Sequence, residues 1–269
     1  MKKNILNDFD EYDKKWGLKI RKDFTLEIDT FEQALFVLST CINKNILGKP
    51  EIMKELNATD YRKINPSTVG FFVCGLLLSE ALIRLLAARR LFLSGYISRA
   101  LACTRDALES AMVADVCRNN LELSKKWISG KQIILTNKLK YDKALSWEVW
   151  RNAQAMLNPL GTHSYLQAVS LSSTPQHVMF FPENDEAQRR YLHDTKFVLW
   201  RMLIRCWQIL MFIKHKYPDA KANINNFDKI LSTIQKVTED ELQITLDEEL
   251  IKQNTTNMHE IIKKIASDK

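Results

Sequence analysis

The stretch Gly95–Asn119, GYISRALACTRDALESAMVADVCRN, decides the fold class. It predicts one long helix that is apolar on nearly every face and yet carries Arg99, Arg105, Asp106 and Glu109. A stripe of small residues lies roughly opposite a stripe of large ones: Ala100, Cys103, Ala107 and Ala114 against Leu101, Leu108 and Met112. The small stripe permits close approach of a neighbouring helix, while charges inside an apolar helix must be paired or used.

The pattern on both sides of this stretch predicts a helical bundle. A helix from about Ser67 to Ser94 stops at Gly95, so it forms an antiparallel hairpin with the helix that follows. A short helix then stops at Gly130, and a long helix runs from about Asp185 to Lys216. We therefore predict an all-α protein, a helical bundle with peripheral N- and C-terminal helices.

The chain is expected to form one structural domain with three parts. Residues 1–65 are predicted to be an arm and helices packed on the core, residues 66–216 the bundle core, and residues 217–269 acidic C-terminal helices. The first 28 residues are polar with scattered aromatics, which predicts an arm that docks through Phe9, Tyr12, Trp16 and Phe24.

Local signals place the elements that flank the core. Thr30-x-x-Gln33 is a capping-box pattern that predicts a helix from Thr30 to about Asn45. Further helices are predicted over Ser146–Leu157, Asn226–Val237 and Leu246–Ala266.

The composition favours helices and a reduced compartment. About 46% of the residues are apolar and only 7 are glycine, which is unlike turn-rich β architecture. The five cysteines are odd in number and form no C-x-x-C pair, so we interpret them as buried thiols. The N-terminus lacks the apolar region of a secretory signal, and a cytoplasmic protein is expected.

Two apolar runs have the length of a membrane span, Gly70–Leu93 and Phe197–Ile213. The first contains Glu80 and Arg84, and the second contains Arg205. A charge at the centre of a bilayer costs about 2.5–3.5 kcal/mol on insertion scales. We therefore expect core helices and no membrane insertion.

The net charge of +7 is concentrated in the middle of the chain. Residues 61–155 hold 15 basic and 7 acidic residues, a net charge of +8. This excess is typical of a surface that faces a polyanion, and equally of arginines that are paired inside a bundle.

No motif of a known cofactor or metal site is present. The sequence contains no G-x-G-x-x-G, Walker loop, H-E-x-x-H or G-x-S-x-G pattern, and its five histidines are not paired at metal-ligand spacing. We therefore predict neither a metal nor a cofactor.

Arg105 and Glu109 are four residues apart, so both project from one face of their helix near the large-residue stripe. One interpretation is a partly buried ion pair that fixes helix register. The other is a polar site in which Arg105 holds a phosphate or carboxylate and Glu109 orients the ligand or accepts a proton.

His163 lies in a Gly-Thr-His-Ser-Tyr turn after Pro159. It is either an ordinary polar turn residue or a histidine placed at the mouth of the bundle beside Arg105 and Glu109. Arg151 lies one helix earlier and could join the same site.

The middle of the chain resembles a family of uncharacterised prokaryotic all-helical proteins. The resemblance is carried by Gly95-Tyr96, Ala100, Arg105-x-x-x-Glu109, Lys126-Trp127 and a later Asn158…His163 turn. It implies an all-α core with Arg105, Glu109 and His163 as the shared polar positions, and it implies no settled activity.

A more distant similarity is to the helical nucleotide-binding and ribonuclease domains of prokaryotic toxin and defence systems. Those domains carry an Arg, a polar residue and then a His four to six residues on. Arg151-Asn152 matches the first half, but His163 is too far along the chain, and His193 is too close to Arg190.

The expected function is that of a cytoplasmic binding or regulatory protein that recognises an anionic ligand, a nucleotide or RNA. The predicted binding residues are Arg99, Arg105, Glu109, Asn158 and His163. One alternative is a metal-independent ribonuclease, with His163, Glu109 and Arg151 as candidate catalytic residues. Another is a helical scaffold that acts only by oligomerising. We also expect the protein itself to form a homo-oligomer.

Overall fold

The fold is seen in a computed structural model that describes residues 5–49, 54, 66–118, 120–131, 133, 185–217, 219, 224 and 226–238. All regular structure in these residues is helical, and they include no strand. The elements are α1 (Ile5–Asp23), α2 (Thr25–Thr40), a π-helical segment (Cys41–Leu47), α3 (Pro66–Leu93), α4 (Ile97–Arg118), α5 (Leu121–Ile128), α6 (Asp185–Lys216) and α7 (Phe227–Val237). The predicted all-α fold is confirmed.

The α3–α4 hairpin is the centre of the fold, as the sequence predicts. Its turn depends on Gly95, whose φ of +82° lies in the left-handed region. The amide of Gly95 donates to the Phe92 carbonyl (3.0 Å) and that of Tyr96 to the Leu91 carbonyl (2.8 Å), a Schellman arrangement. At the other end, a Cβ on Gly70 would lie 2.5 Å from the Arg118 carbonyl oxygen, so the two backbones touch there.

The other helices pack around this hairpin. The helix α2 and the π-helical segment run antiparallel to α3, since Glu32 meets Arg89 and Leu47 meets Gly75. Buried side chains from α1, α2, the π-helical segment, α3, α4, α6 and α7 form one apolar cluster. Its largest fully buried members include Trp16, Phe31, Phe92, Tyr191, Phe212 and Phe227.

The predicted N-terminal arm was assigned no secondary structure, and its residues 5–23 form the helix α1. Docking through aromatic residues is confirmed for Trp16 and Phe24, which are both buried. The Trp16 ring lies 5.3 Å from the Tyr191 ring between centroids, so α1 is packed against α6. The side chain of Phe9 lies outside the described residues.

The capping box predicted at Thr30 is wrong. The helix begins at Thr25, and Thr30 lies buried inside it with its hydroxyl donating to the Leu26 carbonyl (2.7 Å). Burial of Phe24 and Ile28 against the core extends the helix a full turn towards the N-terminus. Tertiary packing therefore overrides a four-residue local signal.

Among the described helices, α3 alone is long and apolar enough to span a membrane, with a mean hydropathy of 2.0 in the most apolar 18 residues of Thr68–Leu93. Half of that most apolar window is buried within the fold. The run Phe197–Ile213 in α6 does not meet the same criterion, and Arg201 and Arg205 lie within it.

All five cysteines are free thiols, as predicted, and four of them are buried while Cys103 is partly exposed. The prediction for Asn226–Val237 is confirmed by α7, and that for the long helix ending at Lys216 by α6. The helices predicted over Ser146–Leu157 and Leu246–Ala266 lie outside the described residues.

Candidate functional site

A groove of about 1030 Å³ runs along the hairpin, between α3 and α4 and towards the C-terminal end of α5. Its apolar lining includes Leu76, Val113 and Trp127, and charged side chains line the same volume. The groove follows from the register of the hairpin, which places Glu80 and Arg84 of α3 beside Asp106 and Glu109 of α4.

The ion pair predicted between Arg105 and Glu109 is present. Arg105 Nη2 donates to Glu109 Oε1 at 3.0 Å. The Arg105 side chain is 17% exposed and that of Glu109 is 36% exposed, so the pair is only partly desolvated. Glu109 lines the groove, and its partner Arg105 does not.

A second ion pair crosses the hairpin and was missed by the sequence reasoning. Arg84 donates from Nη1 to Asp106 Oδ2 (3.0 Å) and from Nε to Glu80 Oε1 (3.0 Å). Asp106 also lies 3.9 Å from Arg105 Nη1, which joins the two pairs into one network. The four-residue spacing of Glu80 and Arg84 was a usable signal, but the contact with Asp106 depends on the register of two helices.

The end of the groove is positioned by α5. Asn120 caps this helix by accepting a hydrogen bond from the Leu123 amide (3.1 Å), and the buried Ser124 hydroxyl donates to the Cys117 carbonyl (2.6 Å). Gly130 then adopts a φ of +77°, which ends the helix and turns the chain so that Lys131 lines the groove.

The structure does not bring all the predicted binding residues together. Arg99 is exposed in the first turn of α4 and does not line the groove. It lies ten residues before Glu109, about 15 Å along the helix axis. His163, Asn158 and Arg151 lie outside the described residues, so the predicted composite site is seen here only in Arg105 and Glu109.

The described lining of the groove carries three carboxylates and two cations: Glu80, Asp106 and Glu109 with Arg84 and Lys131. Because Arg84 is bound by two of those carboxylates, this lining is not simply a cluster of cations that would bind an anion. Within the described ranges, no three His, Cys, Asp or Glu side chains are grouped so that they could hold a metal ion.

Other arginines, two of them in the basic region of residues 61–155, are engaged in the fold. Arg89 of α3 and Arg21 of α1 both donate to Glu32 of α2, with the Arg21 Nη2 to Glu32 Oε1 distance at 2.7 Å. Burial raises the pKa of Glu32, but hydrogen bonds from Arg21 and Arg89 outweigh it and leave that pKa below its ordinary value. Arg118 donates to the Lys216 carbonyl at the C-terminus of α6 (2.7 Å). Arg89 and Arg118, which belong to the basic region, are therefore both held by contacts inside the bundle.

Arg205 is the most deeply buried cation of the described chain, at 2% exposure. Burial, together with the smaller effect of the nearby charge of Arg201, lowers its pKa to about 9. Its guanidinium donates to Gln208 one turn along α6. The sequence marked this arginine only as an obstacle to membrane insertion.

Comparison of the chain with protein-family models, with characterised proteins and with solved structures finds no match.

Proposed function

We propose that this protein is a cytoplasmic helical binding protein of prokaryotic type whose α3–α4 groove takes up a nucleotide. The observation that carries the proposal is the mixed lining of one groove of about 1030 Å³, which combines an indole, two cations and three carboxylates. Ligand sites are concave and mostly apolar, with a few convergent polar groups that fix orientation.

Each part of a nucleotide has a matching group in the groove. Trp127 and Val113 offer an apolar wall for the base. Carboxylates accept hydrogen bonds from ribose hydroxyls, a role open to Glu109, which is held by Arg105. Lys131 is exposed at the groove's end and supplies a charge for a phosphate.

The paired state of Arg84 favours a mononucleotide over RNA. An RNA strand needs a continuous row of cations along its backbone, whereas the described groove alternates cations and carboxylates. The ribonuclease alternative keeps Glu109 in the groove, but its other candidates, His163 and Arg151, lie outside the described residues. The five free thiols support the proposed cytoplasmic location.

Isothermal titration with adenosine and guanosine mono- and triphosphates tests the proposal. We expect binding to one class of nucleotide, with stabilisation of about 2.7 kcal/mol when the ligand is at 100 times its dissociation constant. Lys131→Ala should weaken that binding at least about tenfold, since a charge-assisted contact is lost. Because Lys131 is exposed, the melting temperature of the free variant should stay unchanged.

Lys125→Ala is the matched control, since Lys125 is an exposed lysine of α5 that does not line the groove. It should bind as the wild type does. Equal loss in both variants would indicate a general charge effect and contradict a site in the groove. Cleavage of a short RNA that is abolished by His163→Ala, without nucleotide binding, would favour the ribonuclease alternative.

A further inference from the structure

The outward side of α3 exposes large apolar side chains. Ile83 is 60% exposed and Leu86 is 46% exposed, although both lie in the middle of the most apolar helix described. Phe36 of α2 is 73% exposed. Monomeric soluble proteins seldom place several large apolar side chains together in water without a use for them.

The contacts on either side of α3 show that these side chains share one surface. The helix α2 and the π-helical segment contact α3 at Arg89 and Gly75, and α4 contacts it at Arg84 and Gly70. At about 100° per residue, positions 83 and 90 point within about 20° of each other, into the gap between these two flanks. Position 86 is turned about 60° towards α2.

Phe36 stands at the edge of the same surface. It lies four residues after Glu32, one turn along α2, and Glu32 is bound to Arg89. Because α2 and α3 are antiparallel, one turn forward on α2 corresponds to one turn back on α3, which is the level of Leu86. We name the surface formed by Phe36, Ile83 and Leu86, with Glu80 and Arg90 at its ends, the α3 face.

We propose that the α3 face packs against the α3 face of a second copy of this chain, as a two-fold antiparallel pair. A two-fold interface requires a self-complementary surface, in which residue i meets residue j and residue j meets residue i. The apolar residues of the α3 face meet this condition. When the two-fold axis passes at the level midway between residues 83 and 86, Ile83 of each copy lies level with Leu86 of the other.

The same axis brings opposite charges together at both ends. Glu80 and Arg90 are ten residues apart, about 15 Å along the helix, and the midpoint between them is close to that of Ile83 and Leu86. Each Glu80 is therefore level with an Arg90 of the partner copy. Glu80 is bound to Arg84 within its own chain, but its side chain remains 45% exposed and open to a second cation. Arg90 is exposed.

This inference does not rest on nucleotide binding. Ile83 and Glu80 also line the groove, whereas Trp127 and Lys131 belong to the groove and not to the α3 face. Failure of the titration with nucleotides and failure of dimerisation are therefore separate results.

Sedimentation equilibrium of the full chain tests the proposal. We expect a reversible monomer–dimer equilibrium for the wild type. Ile83→Glu should raise the dimer dissociation constant at least about a hundredfold, since it places two like charges in a desolvated interface. Its circular dichroism should be unchanged, because Ile83 is exposed within each chain. Leu18→Glu is the matched control, an equally drastic change at a 72%-exposed leucine of α1, and it should leave the dimer intact.

Charge reversal tests the antiparallel register. Arg90→Glu should weaken the dimer at least about tenfold, and combining it with Glu80→Arg should restore much of the affinity. A wild type that is monomeric at every concentration, or a dimer that survives Ile83→Glu, would overturn the proposal. A monomer that floats with phosphatidylcholine–phosphatidylserine vesicles, and loses this on Ile83→Glu, would assign the face to a lipid surface instead.

Discussion

Replacement of Glu32 by Gln tests how the first three helices are held together. Oε1 of Glu32 accepts hydrogen bonds from Arg21 Nη2 of α1 at 2.7 Å and from Arg89 Nε of α3 at 2.8 Å. A hydrogen bond to a charged group contributes about 1.5–3 kcal/mol when it is well shielded. These side chains are 31–41% exposed, so the pair of bonds is discounted for screening. We expect a total loss of about 2 kcal/mol, or about 4–8 °C in melting temperature for a chain of this size.

The pH dependence of this loss identifies the carboxylate as its cause. The pKa of Glu32 is lower in the folded protein than in the unfolded chain, so its contribution is fully present above the unfolded pKa of about 4.3. It disappears as the pH falls through the lower folded pKa. Urea titrations of wild type and Glu32→Gln should therefore differ at neutral pH and converge once the pH has fallen below the folded pKa of Glu32. Glu11→Gln, at an exposed glutamate of α1, serves as control. Equal stability at neutral pH, or a difference that persists in acid, would refute the reasoning.

Three further predictions concern the hairpin and the thiols. Gly70→Ala should destabilise the fold by about 1–3 kcal/mol in urea titrations, because the new Cβ would lie 2.5 Å from a carbonyl oxygen of α4. Gly17→Ala is the control: its Cβ would have its nearest contact at 3.4 Å, so this change should be neutral or stabilising. Cys103 should react with a maleimide before the four buried cysteines, as measured by mass spectrometry of peptides, and uniform labelling would contradict the described packing. Glu109→Ala should cost about 1 kcal/mol, well below the loss expected of a fully buried pair, since 36% of the Glu109 side chain is exposed.

The central hairpin could be predicted from the sequence because its signals are local and agree with one another. A long apolar run, a glycine that ends it and a second run that follows at once leave few alternatives to two antiparallel helices. The helix ends at Gly95 and Gly130 were predictable for the same reason, since both positions adopt a positive φ that glycine tolerates.

The sequence reasoning missed α1 although a signal was available. Phe9, Tyr12, Trp16 and Ile20 recur at spacings of three and four residues, which is the period of a helix. The polar residues between them masked the pattern and favoured an arm. At Thr30 a local signal was instead given too much weight. The cap pattern predicts that the helix begins there, whereas burial of Phe24 and Ile28 extends the helix further towards the N-terminus.

The candidate site shows where prediction from a single sequence stops. Arg105 and Glu109 could be paired in advance because four residues on one helix fix their separation. Arg84 and Asp106 are 22 residues apart, and their contact exists only because Gly70 lets the two backbones approach and Gly95 turns the chain tightly. That register decides the chemistry of the groove. It gives Arg84 two carboxylate partners, Glu80 and Asp106, so the charge of this arginine is already balanced where it lines the groove.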